Sequence, residues 1–251
     1  MSDQNNDSLE EKNIFQRRIK SFVMRAGRTT LGQQRAIDEL GPKYLIPYKE
    51  QQLVWEDIFE IENNSRLRIL EIGFGMGETT AHIAQLRTND DFLALEVHEP
   101  GVGALLKKIG EESIQNIRII RHDAVEVLEH MIPEQFLDGV HIFFPDPWHK
   151  KKHNKRRLIQ SEFIAKLCTK LKASAYIHLA TDWEEYAVQM LSVLSDEPQL
   201  QNTSVTQETL PDGRVVNGYA IRPAYRPITK FEKRGLRLGH GVWDLVFLKK
   251  P

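Results

Sequence analysis

The chain holds a single cysteine, Cys168, so no intramolecular disulfide can brace it, which fits a reducing compartment. It also lacks a charge excess: 34 basic residues against 35 acidic ones leave a formal net charge of −1. Bulk electrostatics therefore point to no nucleic-acid partner, and any polyanion site must come from local clustering. No apolar run approaches the roughly 20 residues that span a bilayer. Residues 1–12 are polar and partly acidic, with no signal-peptide core. The expectation is a cytoplasmic protein with no membrane partner.

What is present is enough for a core: 251 residues with an apolar fraction of 41%. Residues 1–20 read as a flexible tail and 21–251 as one domain. Arg17, Arg18, Lys20, Arg25 and Arg28 form a basic arm interleaved with Phe15 and Phe22. This is either a solvated amphipathic helix or a second contact surface for a polyanion.

Strand–helix alternation starts at Leu67. Apolar runs at Leu67–Ile72, Phe92–Val97, Ile117–Ile120, Val140–Phe144 and Tyr176–Ala180 read as buried strands. Glu78–Leu86, Val102–Ile109, Ala124–Met131, Ile159–Leu171 and Trp183–Leu194 read as helices between and after them. Cys168 falls on the apolar stripe of Ile159–Leu171, so it is expected to be a packed residue rather than a nucleophile. Such alternation implies an α/β fold, a mostly parallel sheet with helices on both faces. Residues 199–250 lose the helical period and Val242–Leu248 reads as a strand, so an antiparallel hairpin is expected to finish the sheet.

Ligands of open α/β sheets sit beyond the carboxyl ends of the strands. Those ends carry Glu71, Glu96, Asp123, Asp146 and Asp182, a rim of carboxylates. Asp123 or Asp182 could serve only as a helix cap. The first strand ends in Glu71-Ile-Gly73-Phe-Gly75-Met-Gly77, which is G-x-G-x-G rather than the G-x-G-x-x-G of dinucleotide enzymes. Glycines let backbone approach a ligand where a Cβ would collide. An acid just before the turn repels a pyrophosphate and suits a cation. Glu96 lies 23 residues after Gly73, where an acid can bind ribose hydroxyls. A ribose beside an acidic cradle points to S-adenosylmethionine.

The most informative stretch is Phe143-Phe-Pro-Asp-Pro-Trp-His-Lys-Lys-Lys-His-Asn-Lys-Arg-Arg157. Asp146 is held between two prolines that restrict the backbone. Trp148 either stacks on a base or supports the loop. Six cations follow in eight residues: Lys150, Lys151, Lys152, Lys155, Arg156 and Arg157. They repel one another, and a nucleic-acid backbone would explain them better than a solvated loop does. His149 and His153 have a metal-like spacing but sit among cations with no nearby acid, so no metal is expected.

With these motifs the chain resembles the bacterial tRNA (guanine-N7-)-methyltransferases, class I enzymes that use S-adenosylmethionine. The resemblance covers residues 20–250. It rests on Arg25-Ala-Gly27-Arg28, Glu71 to Gly77, Glu96, Asp123-Ala124, Phe144 to Trp148 with its basic tail, Thr181-Asp182 and Thr229-Lys230-Phe231-Glu232. It implies a Rossmann-like fold with a seven-stranded sheet, and a guanosine of the tRNA variable loop as target. It implies that Glu71, Gly73, Gly75, Gly77, Glu96, Asp123, Ala124 and Asp146 hold the methyl donor. Lys150, Asp182, Thr229, Lys230, Phe231 and Glu232 would contact the guanosine. Lys151, Lys152, His153, Asn154, Lys155, Arg156 and Arg157, with Arg25 and Arg28, would hold tRNA. Monomer and homodimer both stay open.

Guanine N7 carries an in-plane lone pair, so attack on a methyl sulfonium needs no general base. The protein's part would be positioning and electrostatics, with Asp146 as the catalytic carboxylate. Three other readings compete. An exocyclic-amine methyltransferase would carry a second proline after the acid, where Trp148 stands. A non-catalytic RNA-binding module would be expected to lose the donor-site acids. A nicotinamide-dependent dehydrogenase fits neither the glycine spacing nor Glu71.

Overall fold

The computed structural model describes residues 21–22, 27–59, 65–204, 207–209, 215–229, 232–233 and 241–251. The tail at 1–20 lies outside them. Five strands run parallel: β1 (Leu67–Ile72), β2 (Asp90–Leu95), β3 (Ile117–Ile120), β4 (Leu137–Phe143) and β5 (Leu171–Thr181). Each is followed by a helix, except that β4 reaches its helix through a long loop. The helices are α3 (Glu78–Leu86), α4 (Glu99–Glu111), α5 (Ala124–His130), α6 (Ser161–Lys170) and α7 (Glu184–Asp196). Two helices precede them, α1 (Leu31–Tyr44) and α2 (Trp55–Phe59). β6 (Leu200–Asn202) and β9 (Trp243–Lys249) complete the main sheet, and β7 (Gln207–Thr209) with β8 (Val215–Asn217) forms a separate two-stranded sheet.

The strand order is β3-β2-β1-β4-β5-β9-β6. β9 lies antiparallel between β5 and β6. The expected antiparallel ending is therefore the β6–β9 pair, with residues 203–242 between its two strands. Both faces of the sheet are buried. Leu70, Ile72, Leu93 and Val140 pack against α5, α6 and α7, while Ile69, Phe92, Ala94 and Ile119 pack against α1, α3 and α4. A strand buried on both faces has no polar alternation, which is why these strands read as continuous apolar runs. Cys168 is fully buried in the first of these cores, and burial pushes its thiol up to about 12. It is a packed residue, as its place on the stripe suggested.

Among the departures from the sequence pattern, β2 and α1 have a visible physical reason. β2 begins at Asp90 rather than Phe92, because Asp91 is buried against Arg66 at 2.7 Å and Asp90 pairs with Arg87. Acids that look like turn residues can enter a strand once paired. α1 is too polar overall to stand out as an apolar run, but its start is specified by a capping box. Thr30 Oγ1 accepts from Gln33 N at 3.3 Å, and Gln33 Oε1 accepts from Thr30 N at 2.8 Å. α1 then lies directly on α4, where a Cβ at Gly103 would stand 2.7 Å from Gln33 Cβ.

Candidate active site

The chain order reverses direction between β1 and β4, and a cavity of about 450 Å³ opens at their carboxyl ends. Gly73, Glu96, Asp123, Ala124 and Asp146 line it, drawn from the ends of β1, β2, β3 and β4. Ser21 and Phe22 of the N-terminal segment cover part of it.

Of the glycine turn, Gly73 lines the cavity, while Gly75 and Gly77 stand outside its wall. Gly73, Gly75 and Gly77 have φ of 77°, 60° and 73°, a region that side chains other than glycine enter at a cost. Among the described residues, a Cβ on Gly73 or Gly75 would meet nothing within 4 Å, so their backbone is bared there. Glu96 fastens this turn. Its Oε2 accepts from Gly75 N at 2.9 Å, and its Oε1 accepts from Val97 N at 2.7 Å and His98 N at 3.0 Å. Gly101, at the start of α4, was not marked by the sequence reading. A Cβ there would stand 2.2 Å from the Gly75 carbonyl oxygen, so the turn keeps its shape only against a glycine.

Asp123 caps α5, its Oδ1 accepting from Val125 N at 3.0 Å, and it also forms cavity wall. The two roles are compatible because a carboxylate has lone pairs to spare. Asp146 Oδ1 accepts from Trp148 N at 3.1 Å. Phe144 and Trp148, on either side of Pro145-Asp146-Pro147, both have positive φ, 52° and 46°. Such backbone persists only where its surroundings enforce it, and it clusters at functional sites. Here the enforcement is visible. Phe144 N donates to Ala180 O at 2.7 Å, Trp148 Nε1 donates to Ser21 O at 3.1 Å, and the Arg156 guanidinium lies 4.4 Å from the Trp148 ring. Trp148 therefore supports the loop, and its indole N–H and one ring face are already engaged by the protein.

Glu71 and Asp182 depart from the rim. Glu71 is 2% exposed and sits behind the glycine turn, outside the cavity wall. Burial pushes its carboxyl up to about 8; Thr80 opposes the shift and Glu96 adds to it. Thr80 is near enough to act electrostatically, yet among the described residues Glu71 Oε2 and Thr80 Oγ1 both lack a hydrogen-bond partner. Asp182 is exposed beyond β5 and lies outside the cavity wall. It does not cap α7, whose N-cap is Trp183.

The basic run folds as a 3-10 turn, Lys151–Arg156. Lys150, Lys151, Lys152 and Lys155 are exposed on it. His153 is half-buried, edge-on to Trp148, and Asn154 donates to Glu185 Oε1 at 3.2 Å. Arg157 corrects the sequence reading. Its side chain is 1% exposed and donates to Pro147 O at 2.8 Å, Gln189 Oε1 at 2.6 Å and Glu185 Oε1 at 3.3 Å. It braces the loop from inside and cannot reach a phosphate. Arg28 is exposed; Arg25, Lys230 and Phe231 lie outside the described residues. Thr229 and Glu232 form a reciprocal turn, Thr229 N to Glu232 Oε2 at 3.2 Å and Glu232 N to Thr229 Oγ1 at 3.1 Å. Glu232 is 5% exposed, with both oxygens engaged by Arg226.

A sheet of this order, with an acid-lined cavity at its β1/β4 crevice and a bared glycine turn, defines a Rossmann-like methyltransferase. Residues 65–245 match the family described as "Putative methyltransferase". The tRNA (guanine-N(7)-)-methyltransferase of Ralstonia pickettii (strain 12J) is 66% identical over 234 residues, 93% of this chain and 86% of that one. The protein of the same name from Burkholderia vietnamiensis (strain G4 / LMG 22486) is 59% identical over 251 residues, 100% of this chain and 92% of that one. The chain belongs to the tRNA (guanine-N(7)-)-methyltransferase family. Among solved structures, the 16S rRNA methyltransferase KamB matches at a TM-score of 0.52 with 13% identity, over 80% of this chain and 96% of that one, a likeness of fold alone.

Proposed function

We propose that the protein transfers a methyl group from S-adenosylmethionine to N7 of a guanosine in tRNA, working in the cytoplasm through one domain spanning 21–251. The observation that carries this reading is the meeting of Glu96, Asp123 and Asp146 with the left-handed Gly73 in one cavity. The residues suit this donor. Glu96, held by three backbone N–H groups, keeps one Oε2 lone pair for a ribose hydroxyl. Asp123 stands where it can accept from an exocyclic amine. Glu71, buried next to the turn, has an oxygen without a hydrogen-bond partner among the described residues. When bound, the donor supplies an electrophilic methyl on a sulfonium.

This chain's own residues then do three things. The Asp146 loop orients the purine, its carboxylate accepting from the guanine edge and stabilising the positive charge that passes to the base. Thr229, Lys230, Phe231, Asp182 and Lys150 contact the guanosine, while Glu232, whose two oxygens are engaged by Arg226, holds that segment in place. The exposed lysines of the 3-10 turn hold backbone phosphate, which positions the RNA without reading its sequence.

Incubation with labelled S-adenosylmethionine and unmodified tRNA, followed by borohydride and aniline cleavage, tests the reading. Label incorporated at an aniline-labile guanosine is the expected result. Label on an exocyclic amine, which leaves the RNA resistant to aniline, would move the protein to another methyltransferase class.

The lysines carry a separate expectation. Replacing Lys151, Lys152 and Lys155 with glutamine should weaken tRNA binding and lower the slope of log K against log salt by about 2–3. A filter-binding titration across salt measures this, and a slope equal to wild type would remove the turn from the RNA interface. Arg157→Gln should instead lower thermal stability, since its contacts are internal.

A further inference from the structure

Arg226 is fully buried among β9, Glu232 and Phe144, the residue that leads into the Asp146 loop. Its Nε donates to Asp244 Oδ1 at 2.6 Å and its Nη2 to Asp244 Oδ2 at 2.7 Å. Nη1 donates to Glu232 Oε2 at 2.8 Å and Nη2 to Glu232 Oε1 at 3.1 Å. One guanidinium thus forks onto two carboxylates, one on β9 and one on the Thr229–Glu232 turn. Its carbon also lies 5.5 Å from the centre of the Phe144 ring, and Phe144 is the left-handed residue that launches Pro145-Asp146 from β4.

The anchor behind Arg226 is rigid. Asp244 Oδ1 also accepts from His178 Nε2 at 2.8 Å, and His178 Nδ1 meets the Tyr225 hydroxyl at 2.7 Å. A carboxylate only accepts, so the proton of His178 sits on Nε2 and Tyr225 donates to Nδ1. Ala220 N donates to Asp244 O at 2.8 Å, which pins the same segment to β9 a second time. The chain from 219 to 229 is therefore tied down at the residue next to Arg226 as well as through it.

A stability role alone is a poor explanation. Buried ion pairs often add little stability over well-packed apolar side chains, because desolvation cancels most of their attraction. What a planar fork supplies is fixed geometry between two carboxylates, which a point charge such as lysine cannot supply. We propose that Arg226 is a positioning residue that holds the Asp146 loop and the Thr229–Glu232 turn in one frame, so that guanine N7 meets the methyl group in line. The inference rests on the function proposed above. A displacement of about 1 Å in a reacting group can cost about 100-fold in rate.

Arg226→Lys tests it. Charge is kept and the double fork is lost. With tRNA as substrate, kcat per donor-binding site should fall about 100-fold. The KM for S-adenosylmethionine and the Kd for tRNA should stay within about threefold, because Glu96, Asp123 and the lysines are untouched. Glu232→Gln, nearly isosteric, guards against loss of folding in the lysine variant and should show the same split. The double variant should be no slower than the worse single one, since both break one unit. Wild-type kcat per site in Glu232→Gln, or in a folded Arg226→Lys with a lowered Tm, would show Arg226 to be structural only and overturn the proposal. A raised donor KM with unchanged kcat would overturn it too. Wild-type protein that forms no aniline-labile guanosine removes the underlying reading, and the inference with it. Wild-type protein that does form it leaves the variants to decide Arg226 alone.

Discussion

Asp146→Ala should cut methyl transfer by about 100–1,000-fold while the protein stays folded, binds S-adenosylmethionine within about tenfold of wild type and still holds tRNA. Its position argues for an effect this large. Asp146 lines the cavity at the β1/β4 crevice, the one strand-end acid there that stands on a strained loop between two prolines. One oxygen takes the Trp148 N–H, which fixes the carboxylate without spending its second oxygen. A fixed carboxylate next to a base gaining positive charge stabilises the transition state more than the ground state, so its loss should appear in kcat. Folding should survive, because Asp146 is exposed and the loop is held by Phe144 N, Trp148 Nε1 and Arg157, all left in place. Single-turnover assays with bound tRNA would measure this directly. A rate within threefold of wild type would take Asp146 out of the chemistry. Asp146→Asn separates charge from hydrogen bonding: it keeps the oxygen that accepts from Trp148 N and removes the charge. A large loss in that variant would assign the effect to electrostatics.

Much of this site was legible in the chain because it lies at strand ends. A parallel strand buried on both faces is a continuous apolar run, and the first acid after the run marks the rim. Glu96, Asp123 and Asp146 were found this way. The glycine turn was legible from its spacing, but the glycine that seats it was not. Gly101 looks like any helical glycine, and only the approach of the Gly75 carbonyl explains it. Arg157 misled for the opposite reason. Charge clustering is a one-dimensional signal, and it cannot tell a lysine on the outer side of a 3-10 turn from an arginine that the same turn directs into Gln189 and Glu185. Arg226 was missed because its partners are Glu232, six residues on, and Asp244, eighteen residues on. No local pattern joins them until β9 pairs with β5. α1 was missed although its capping box was present, because it is polar overall and its Gly32, Gly41 and Pro42 read as turn residues.

Glu71 carries a pH dependence whose sign can be worked out. Burial raises its folded-state value from 4.5 to about 8. Below about pH 4.5 the carboxyl is protonated in both folded and unfolded chains and costs nothing extra. Between 4.5 and about 8 the unfolded chain releases the proton and the folded protein keeps it. The folded state then binds more protons, so its stability must fall as pH rises across that window. At about 1.4 kcal/mol per pH unit, the loss amounts to roughly 3–5 kcal/mol by the upper end. Glu71→Gln cannot ionise and should lose none of it. Urea titrations of both proteins from pH 5 to pH 8 should therefore give stabilities that diverge as pH rises, with the glutamine variant gaining on wild type. Parallel curves would mean that Glu71 is already ionised in the folded protein. The same slope reports on the donor. A cationic group brought near the orphaned Glu71 oxygen favours the carboxylate and lowers the folded-state value. Saturation with S-adenosylmethionine should then flatten the wild-type curve and leave the Glu71→Gln curve unchanged in slope. If the wild-type slope persists at saturation, Glu71 supports the glycine turn from behind, and the donor is held by Glu96 and Asp123 without it.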